Sequence, residues 1–194
     1  GYFMHLPGIY IAYPSCAADA KGLLKMACRM NDPVIFMEHK GLYRQNYAAT
    51  QEPDEEYVLP FGKGRIVNRG DELTLITWGA MVQKSLDAIR SLALSDGLIE
   101  VIDLRTLNPV DLDLIEISIT KTNKVLIVHE DNITNGPGAE ISAIISDKFF
   151  ELLDGPIRRV AAKDSPVPFN WHMEEVILPQ TRDVANAISE ILEY

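Results

Sequence analysis

The amino-acid sequence predicts an α/β protein organised around a mostly parallel sheet. Apolar runs of strand length alternate with segments whose apolar residues recur at helical spacing. The run KVLIVHE, residues 124–130, is apolar almost throughout, as expected for a strand covered on both faces. Apolar residues make up 47% and charged residues 24% of the 194 positions. A globular chain of this kind can bury a sizeable core.

The first part of the chain predicts one βαβ unit. The strand IYIAYP, residues 9–14, stops at a proline, and Ser15 is a candidate cap for a helix that extends through Met26. The run PVIFMEH, residues 33–39, predicts the second strand. Residues 43–72 are rich in glycine, proline and charge, which indicates a linker with a short strand at residues 65–67.

The remainder of the chain repeats this alternation. Further strands are predicted at residues 73–78, 99–104, 124–130 and 156–162. The helices between and after them are marked by apolar stripes: Val82, Leu86, Ile89 and Ala93; Leu112, Ile115 and Ile119; Ile141, Ile144, Ile145, Phe149 and Leu152; Val184, Ile188 and Ile191. The second of these helices opens at Asn108-Pro109 or at Asp111, and the last covers about residues 183–194.

Candidate chemistry lies where the predicted strands end, because open α/β sheets bind ligands at the carboxyl ends of their strands. The loops in question follow residues 78, 104, 130 and 162. The polar side chains at or beside these strand ends are Asp103, Arg105, His129, Glu130, Lys163 and Asp164.

The turn NGPGAEI, residues 135–141, joins a predicted strand to a predicted helix through two glycines. A dinucleotide-binding fingerprint needs a third glycine or alanine where Ile141 stands. Pro137 lacks an amide donor, and Glu140 carries negative charge where a phosphate would lie. These features favour a tight structural turn over a nucleotide site.

The four histidines have no metal-ligand spacing, and we predict a hydrogen-bonded structural role for each: His5, His39, His129 and His172. An acid-base role for His129 beside Glu130 is the alternative. Neighbours on a strand point to opposite faces, however, so those two side chains cannot simply pair.

The net charge, the cysteines and the lengths of the apolar runs limit the partners and the cellular compartment that we expect. The net charge of −10 disfavours a nucleic-acid ligand and suits a basic protein partner. Cys16 and Cys28 have no metal-ligand spacing and make no disulfide framework, and the latter favours a reducing compartment. We predict both as small buried side chains. No apolar run reaches membrane-spanning length and no signal sequence is visible, so no membrane role is expected.

Five segments, taken in order, resemble one protein family. They are FMHLPGIYIAYPS, DAKGLLKMACRMNDPVIFMEHKGLYR, EVIDLRTLNPVD, VHEDNITNGPGAEI and DSPVPF. They are similar to the beta part of the thiamine-diphosphate-dependent first component of 2-oxoacid dehydrogenase complexes, of the branched-chain 2-oxoisovalerate or the pyruvate type. Transketolase and deoxyxylulose phosphate synthase share the domain type and are alternatives, although EHKGLYR looks more like the dehydrogenase branch.

The resemblance implies a domain organisation and shows which parts of the complete enzyme would hold the cofactor. Residues 1–45 match the end of a pyrimidine-binding domain, 46–70 a linker, and 71–194 a transketolase C-terminal domain. The family's cofactor-activating carboxylate and its His-Ser-Gln stretch lie upstream of the position that matches Gly1. The alpha part holds magnesium and the diphosphate of thiamine diphosphate in the complete enzyme. The chain alone is therefore expected to be an inactive C-terminal fragment without tightly bound cofactor.

The resemblance also implies sites within the chain. Backbone carbonyls of Ala27, Met30 and Asp32 match a potassium site, with Met30 in place of the usual aspartate; a plain helix end is the alternative. His5 lies near the missing histidine stretch and is expected to shape the approach to the first strand rather than line the cofactor entrance. The acyltransferase's basic subunit-binding domain is expected to dock near the C-terminus, at Asp183, Glu190, Glu193 and Tyr194; a solvated face is the alternative.

Partners and location follow from the same resemblance. The expected partners are the alpha part, a second beta part in a dimer, and the acyltransferase core. The expected location is the bacterial cytoplasm or the mitochondrial matrix. A non-catalytic assembly and docking module is the alternative to a part of an oxidative decarboxylase.

Overall fold

The computed structural model describes all 194 residues and contains eight strands and six α-helices. The strands are β1 (Tyr10–Ala12), β2 (Val34–Phe36), β3 (Arg65–Asn68), β4 (Leu73–Thr77), β5 (Ile99–Asp103), β6 (Thr106–Asn108), β7 (Val125–Asn132) and β8 (Arg158–Ala162). The helices are α1 (Ala17–Ala27), α2 (Met81–Ser91), α3 (Leu112–Thr122), α4 (Pro137–Lys148), α5 (Trp171–Ile177) and α6 (Thr181–Leu192). None of the helices is both long and apolar enough to cross a bilayer.

The larger sheet has the strand order β3-β5-β4-β7-β8, and all its strands are parallel except β3, which runs antiparallel to β5. This confirms the predicted α/β class and mostly parallel sheet, including the predicted short strand in the linker. Helices α3 and α4 pack on one face, and α2 and α6 on the other. Every residue of β4 and β5 is buried, as expected for strands covered on both faces.

The smaller sheet has the strand order β2-β1-β6. Strands β1 and β2 pair in parallel across α1, which confirms the predicted βαβ unit. Strand β6 was not predicted, and it pairs antiparallel with β1. It follows β5 after only Leu104 and Arg105, so a two-residue connection carries the chain from the larger sheet into the smaller one. Arg105 has a left-handed backbone conformation, with φ 61°.

Two local predictions are wrong in detail, and a choice between two alternatives is decided. Ser15 does not cap α1, because its hydroxyl donates to Asp103 Oδ2 at 2.5 Å and Cys16 stands at the N-cap position without a side-chain bond. Ala93 lies beyond the end of α2 in a left-handed conformation, with φ 47°. Of the two predicted starts for the next helix, Asp111 is correct, since its carboxylate accepts the Leu114 N–H.

A buried polar network ties α3 to the centre of the larger sheet. Ser118 Oγ lies 2.7 Å from both Glu100 Oε1 and Thr74 Oγ1, and Thr74 Oγ1 also lies 2.6 Å from Thr122 Oγ1. Lys121 Nζ pairs with the other oxygen of Glu100. The Glu100 side chain is only 1% exposed, so this lysine neutralises a carboxylate that is almost removed from water.

Replacing Lys121 with Met tests this network. We expect Lys121→Met to lower the free energy of unfolding by roughly 1–3 kcal/mol, because the variant leaves a buried carboxylate unpaired, while the partial exposure of the lysine moderates the loss. Lys148→Met is the matched control, since Lys148 is also a basic residue in the last turn of its helix. Urea unfolding measures both. Equal losses in the two variants would contradict the importance of the pair.

Candidate functional site

The two sheets meet at a cluster of charged side chains that we name the seam cluster: Ser15, Asp19, Arg65, Asp103 and Arg105. Arg105 binds Asp19 in a bidentate manner, with Nε donating to Oδ2 at 3.1 Å and the terminal nitrogen 2.9 Å from Oδ1. Arg65 lies 3.3 Å from an oxygen of Asp19 and 3.3 Å from Asp103 Oδ2. Ser15 and Asp19 belong to the smaller-sheet unit, and the other members come from β3, from β5 and from the connection between β5 and β6. The cluster therefore crosses between the two units.

The seam cluster is balanced in charge and largely removed from solvent. Burial raises the pKa of Asp103, while the Ser15 hydrogen bond and the Arg65 charge act in the opposite direction. For Arg65, burial works against the charged form, but attraction to Asp103 and Asp19 leaves its pKa raised. Asp103 and Arg105 were predicted at a ligand-binding edge. The structure instead shows them paired with other side chains, which leaves them little capacity to hold a ligand.

Sequence reasoning did not identify three members of this cluster as functional: Ser15, Asp19 and Arg65. Asp19 carried a usable signal, because it lies four residues before the buried Leu23 on the inward face of α1. A charged side chain at a core-facing helical position needs a buried partner. Nothing in the sequence identified that partner as Arg105, 86 residues away.

Cys16 does not have the environment of a nucleophile. Cys16 is half-buried next to Arg65, and burial raises the pKa of its thiol. A reactive cysteine needs a lowered pKa. Cys28 is exposed, so the prediction that both cysteines are buried is wrong for this residue. It follows the last residue of α1, where the chain turns through solvent toward β2.

The inner side of the turn at residues 135–141 is filled by the protein itself. The His129 side chain is fully buried beneath it, stacked on Trp78 with ring centroids 5.4 Å apart and planes 7° from parallel. A Cβ on Gly138 would lie 2.4 Å from His129 Nε2, and one on Gly136 would lie 2.1 Å from the Asn132 carbonyl. The glycines make room for this ring and carbonyl. The inner side of the turn therefore has no room for a diphosphate.

His129 has an unusual environment for a titratable group. Both of its ring nitrogens are buried without a hydrogen-bond partner, and burial lowers its pKa to about 4. The ring is therefore neutral near pH 7. Its stacking on Trp78 is consistent with the predicted structural role, but neither ring nitrogen makes the predicted hydrogen bond.

His39 and Glu130 form a second contact between the two units, with His39 Nε2 lying 3.0 Å from Glu130 Oε2. The hydrogen bond to Glu130 is the largest cause of the raised pKa of His39, and burial opposes it. Glu130 thus pairs with His39. It does not pair with its neighbour His129, because successive side chains of β7 point to opposite faces, as predicted.

A cavity of about 360 Å³ lies beside this contact, with apolar and aromatic walls that include Tyr13, Met37 and Trp78. The carboxylates of Glu130 and Asp131 also line it. Burial raises the pKa of Tyr13 to about 12, and these two carboxylates add to the effect. Both carboxylates have basic partners, Glu130 in His39 and Asp131 in the Gly1 amino group, and the apolar walls suit an uncharged group better than a phosphate.

The remaining candidate residues lie apart from one another. His5 is exposed and lines a depression together with Asn135 and Glu140. His172 is exposed and stacks on Trp171, with centroids 3.7 Å apart. Asp164 accepts hydrogen bonds from the backbone and side chain of Thr134, and Lys163 is exposed.

The predicted potassium ligands lie around the end of α1. The Ala27 carbonyl accepts the Met30 N–H at 3.2 Å, which leaves one lone pair on that oxygen, and Asp32 is exposed in the following loop. Carbonyl oxygens suit a hard cation. The potassium site stays a prediction, and so does the plain helix end.

The predicted docking residues lie on and after α6. Glu190, Glu193 and Tyr194 are exposed, but Asp183 has a structural task, because its Oδ2 accepts the Gln180 N–H at 2.8 Å in a capping box. Asp183 therefore helps to start α6.

Comparison with known proteins gives a consistent result. The family model for the transketolase C-terminal domain matches residues 62–184, and the model for the transketolase pyrimidine binding domain matches residues 1–46. The pyruvate dehydrogenase E1 component subunit beta of Staphylococcus aureus is 40% identical over 194 residues, which are 100% of this chain and 59% of that protein. The subunit of the same name from Staphylococcus epidermidis is 39% identical over 194 residues, again 100% of this chain and 59% of that protein.

Among solved structures, a split gene transketolase described as an inactive beta4 tetramer aligns with a TM-score of 0.76 and 22% identity. The alignment covers 97% of this chain and 59% of that one, and it supports the fold. The chain thus spans 59% of the length of these relatives.

The buried His129 predicts a specific pH dependence of stability. Its pKa is about 4 in the folded chain and about 6.5 when unfolded, so the unfolded chain takes up this proton first as pH falls. The stability tied to neutral His129 is therefore present above about pH 6.5 and is lost progressively down to about pH 4.

The free energy of unfolding of the wild type should fall as the pH is lowered from about 7.5 to about 4.5. In His129→Gln, which cannot titrate at this position, we expect this fall to be smaller by about 2 kcal/mol. Urea unfolding at each pH measures the difference. His172→Gln serves as the control, because His172 is exposed. An unchanged pH dependence in the His129 variant would contradict the assignment.

Proposed function

Because the chain belongs to the family that has transketolase pyrimidine-binding and C-terminal domains, we propose that it is the C-terminal part of a 2-oxoacid dehydrogenase beta subunit. The observation that carries this proposal is the 40% identity to a pyruvate dehydrogenase E1 beta subunit along the whole chain. The substrate class is a 2-oxo acid. Pyruvate is the first candidate, and 2-oxoisovalerate is the alternative.

The proposed complete enzyme uses thiamine diphosphate and magnesium, held mainly outside this segment. Two features of the chain support that placement. The glycine turn is occupied by His129 and backbone, and the neighbouring cavity is lined by carboxylates. Neither feature favours a diphosphate, so this segment contributes structure and partner contacts in the proposal. Potassium at Ala27, Met30 and Asp32 would stabilise the end of α1.

The proposed partners are the alpha part, a second beta part and the acyltransferase. Docking of the acyltransferase's basic domain near the C-terminus is supported by the exposed Glu190 and Glu193 and by the net charge of −10. Tyr194, also exposed, lies beside them. Asp183 contributes less directly, because it caps α6. The proposed location is one where such complexes occur, the bacterial cytoplasm or the mitochondrial matrix.

The activity is tested by assembling the complete beta subunit that contains this chain with its alpha part and measuring decarboxylation of pyruvate and of 2-oxoisovalerate. We expect turnover that depends on thiamine diphosphate, magnesium and the alpha part, because the proposal places the reacting groups outside this segment. The 194-residue chain alone is the control and should be inactive. Turnover by this chain alone, or none on any 2-oxo acid by the assembly, would contradict the proposal.

Docking is tested with the double variant Glu190→Gln and Glu193→Gln, which keeps the capping box intact. We expect roughly three- to tenfold weaker binding to the acyltransferase's subunit-binding domain at low salt, and a smaller difference at high salt, because exposed charges are screened. Calorimetry on the assembled enzyme measures both. The control is Asp147→Asn with Glu151→Gln, which removes two exposed charges near the end of α4. Equal affinities for the two double variants would exclude this placement.

A further inference from the structure

The outer edge of the glycine turn carries a reactive pair of residues. Asn135 is the only asparagine of the chain that precedes a glycine, and its side chain is exposed. Hydrogen bonds to side chains at this turn are made by its neighbours Asn132 and Thr134, and none reaches the Asn135 amide. Asparagine is among the chemically labile residues of proteins. An exposed and unbonded amide keeps this lability.

The backbone nitrogen that follows Asn135 is free as well. The Gly136 carbonyl accepts the Ala139 N–H at 2.9 Å, whereas the Gly136 N–H donates to no group. Gly136 stands at the N-cap of α4, where backbone N–H groups lack partners within the helix. Glycine also has no Cβ that could obstruct an approach to its nitrogen. An electrophilic amide carbon and an unbonded nitrogen therefore lie side by side.

We propose that Asn135 is a self-modification site, which converts to isoaspartate and aspartate in the folded chain. The Gly136 nitrogen forms a bond to Asn135 Cγ, the Cγ–Nδ2 bond breaks, and the proton of the Gly136 nitrogen leaves with the amide as ammonia. Water then opens the succinimide ring. Opening at the backbone carbonyl carbon gives isoaspartate, and opening at Cγ gives aspartate. Water is the only co-reactant, and no group is oxidised or reduced.

The fold permits this ring closure. The two reacting groups are held together by the chain itself, which gives them a high effective concentration. The turn is anchored before Asn135 by Thr134, whose N–H and hydroxyl both donate to Asp164. Asp164 is exposed, and hydrogen bonds in exposed loops open at a small cost in free energy. The backbone of Asn135 can therefore rotate into the reactive geometry without unfolding of the sheet.

A second asparagine isolates the features that matter. Asn123 has the same left-handed backbone as Asn135, with φ 57° in both. Its side chain is held, because Nδ2 donates to the Leu152 carbonyl at 2.7 Å, and the next residue is Lys124. The free amide and the following glycine thus distinguish Asn135, and the backbone conformation does not.

Isoaspartate would disturb the start of α4. It inserts an extra carbon atom into the backbone at a turn whose inner side is full. A Cβ on Gly136 would already lie 2.1 Å from the Asn132 carbonyl, and one on Gly138 would lie 2.4 Å from His129 Nε2. We expect the modified turn to pack less closely on β7. This inference goes beyond the proposed function and does not depend on it, since the reaction needs no cofactor, partner or 2-oxo acid.

Mass spectrometry of the aged 194-residue chain tests the inference. The folded chain and a synthetic peptide of residues 131–140 are incubated in the same mildly alkaline buffer. Replacement of ammonia by water is followed in the tryptic fragment 125–148, and an isoaspartyl methyltransferase measures isoaspartate. We expect Asn135 to react in the folded chain at no less than about one tenth of its rate in the peptide, and Asn123 at least about tenfold more slowly than Asn135.

Asn135→Gly is the control for position, because glycine also suits a left-handed backbone, and its fragment should not change in mass. A folded-chain rate below about one tenth of the peptide rate would overturn the inference, since the fold would then hold the groups apart. Aspartate without isoaspartate would overturn the succinimide route. A mass change that persists in Asn135→Gly would assign the reaction to Asn132 instead.

Hydrogen exchange tests the structural consequence. The isoaspartate form, separated by ion exchange, is compared with Asn135→Asp, which carries the same charge without the extra backbone atom. We expect faster amide exchange at the start of α4 in the isoaspartate form, while β4 and β5 stay protected in both. Equal exchange of α4 in the two forms would contradict the predicted loosening of the turn.

Discussion

The architecture depends on the bidentate contact between Arg105 and Asp19. Arg105 occupies the two-residue connection at which the chain leaves the larger sheet and enters the smaller one. Its guanidinium reaches back to α1 while its carbonyl accepts the Tyr13 N–H at 2.8 Å, just beyond β1. One residue therefore fixes both a helix and a strand of the smaller-sheet unit. Because Asp19 is only 1% exposed, the contact must be complete for the fold to be stable.

This constraint also explains the chemistry of the strand ends. Polar residues collect at the carboxyl edge of the larger sheet, where many α/β proteins bind ligands. In this chain most of them are paired with protein groups. Asp103 and Arg105 belong to the seam cluster, Glu130 pairs with His39, and His129 supports the glycine turn. The edge therefore joins the two sheet units of the chain.

Sequence reasoning predicted the elements well where periodicity was strong. The strands of the larger sheet and helices α2, α3, α4 and α6 are marked by sustained apolar patterns. It missed β6 because that strand has only three residues and is recognisable only from its pairing with β1, which lies roughly 95 residues earlier in the chain. It missed α5 because that helix buries none of its residues, so it has no apolar stripe directed at a core.

The seam cluster was not predictable for a different reason, since long-range ion pairs leave no periodic pattern in the sequence. At the glycine turn, Pro137 and Glu140 favoured a structural turn over a nucleotide site, and the structure adds His129 as the side chain packed against Gly138.

Hydrogen exchange, followed by mass spectrometry, tests the central role of the Arg105 contact most directly. The comparison is between wild type, Arg105→Met and the control Arg90→Met, whose arginine is 67% exposed and pairs with Asp87 on one helix. The account predicts that Arg105→Met speeds amide exchange in β1 and β2 while β4 and β5 stay protected, because the smaller sheet loses its attachment. Arg90→Met should exchange like the wild type. Unchanged protection of β1 and β2 in Arg105→Met would contradict the account.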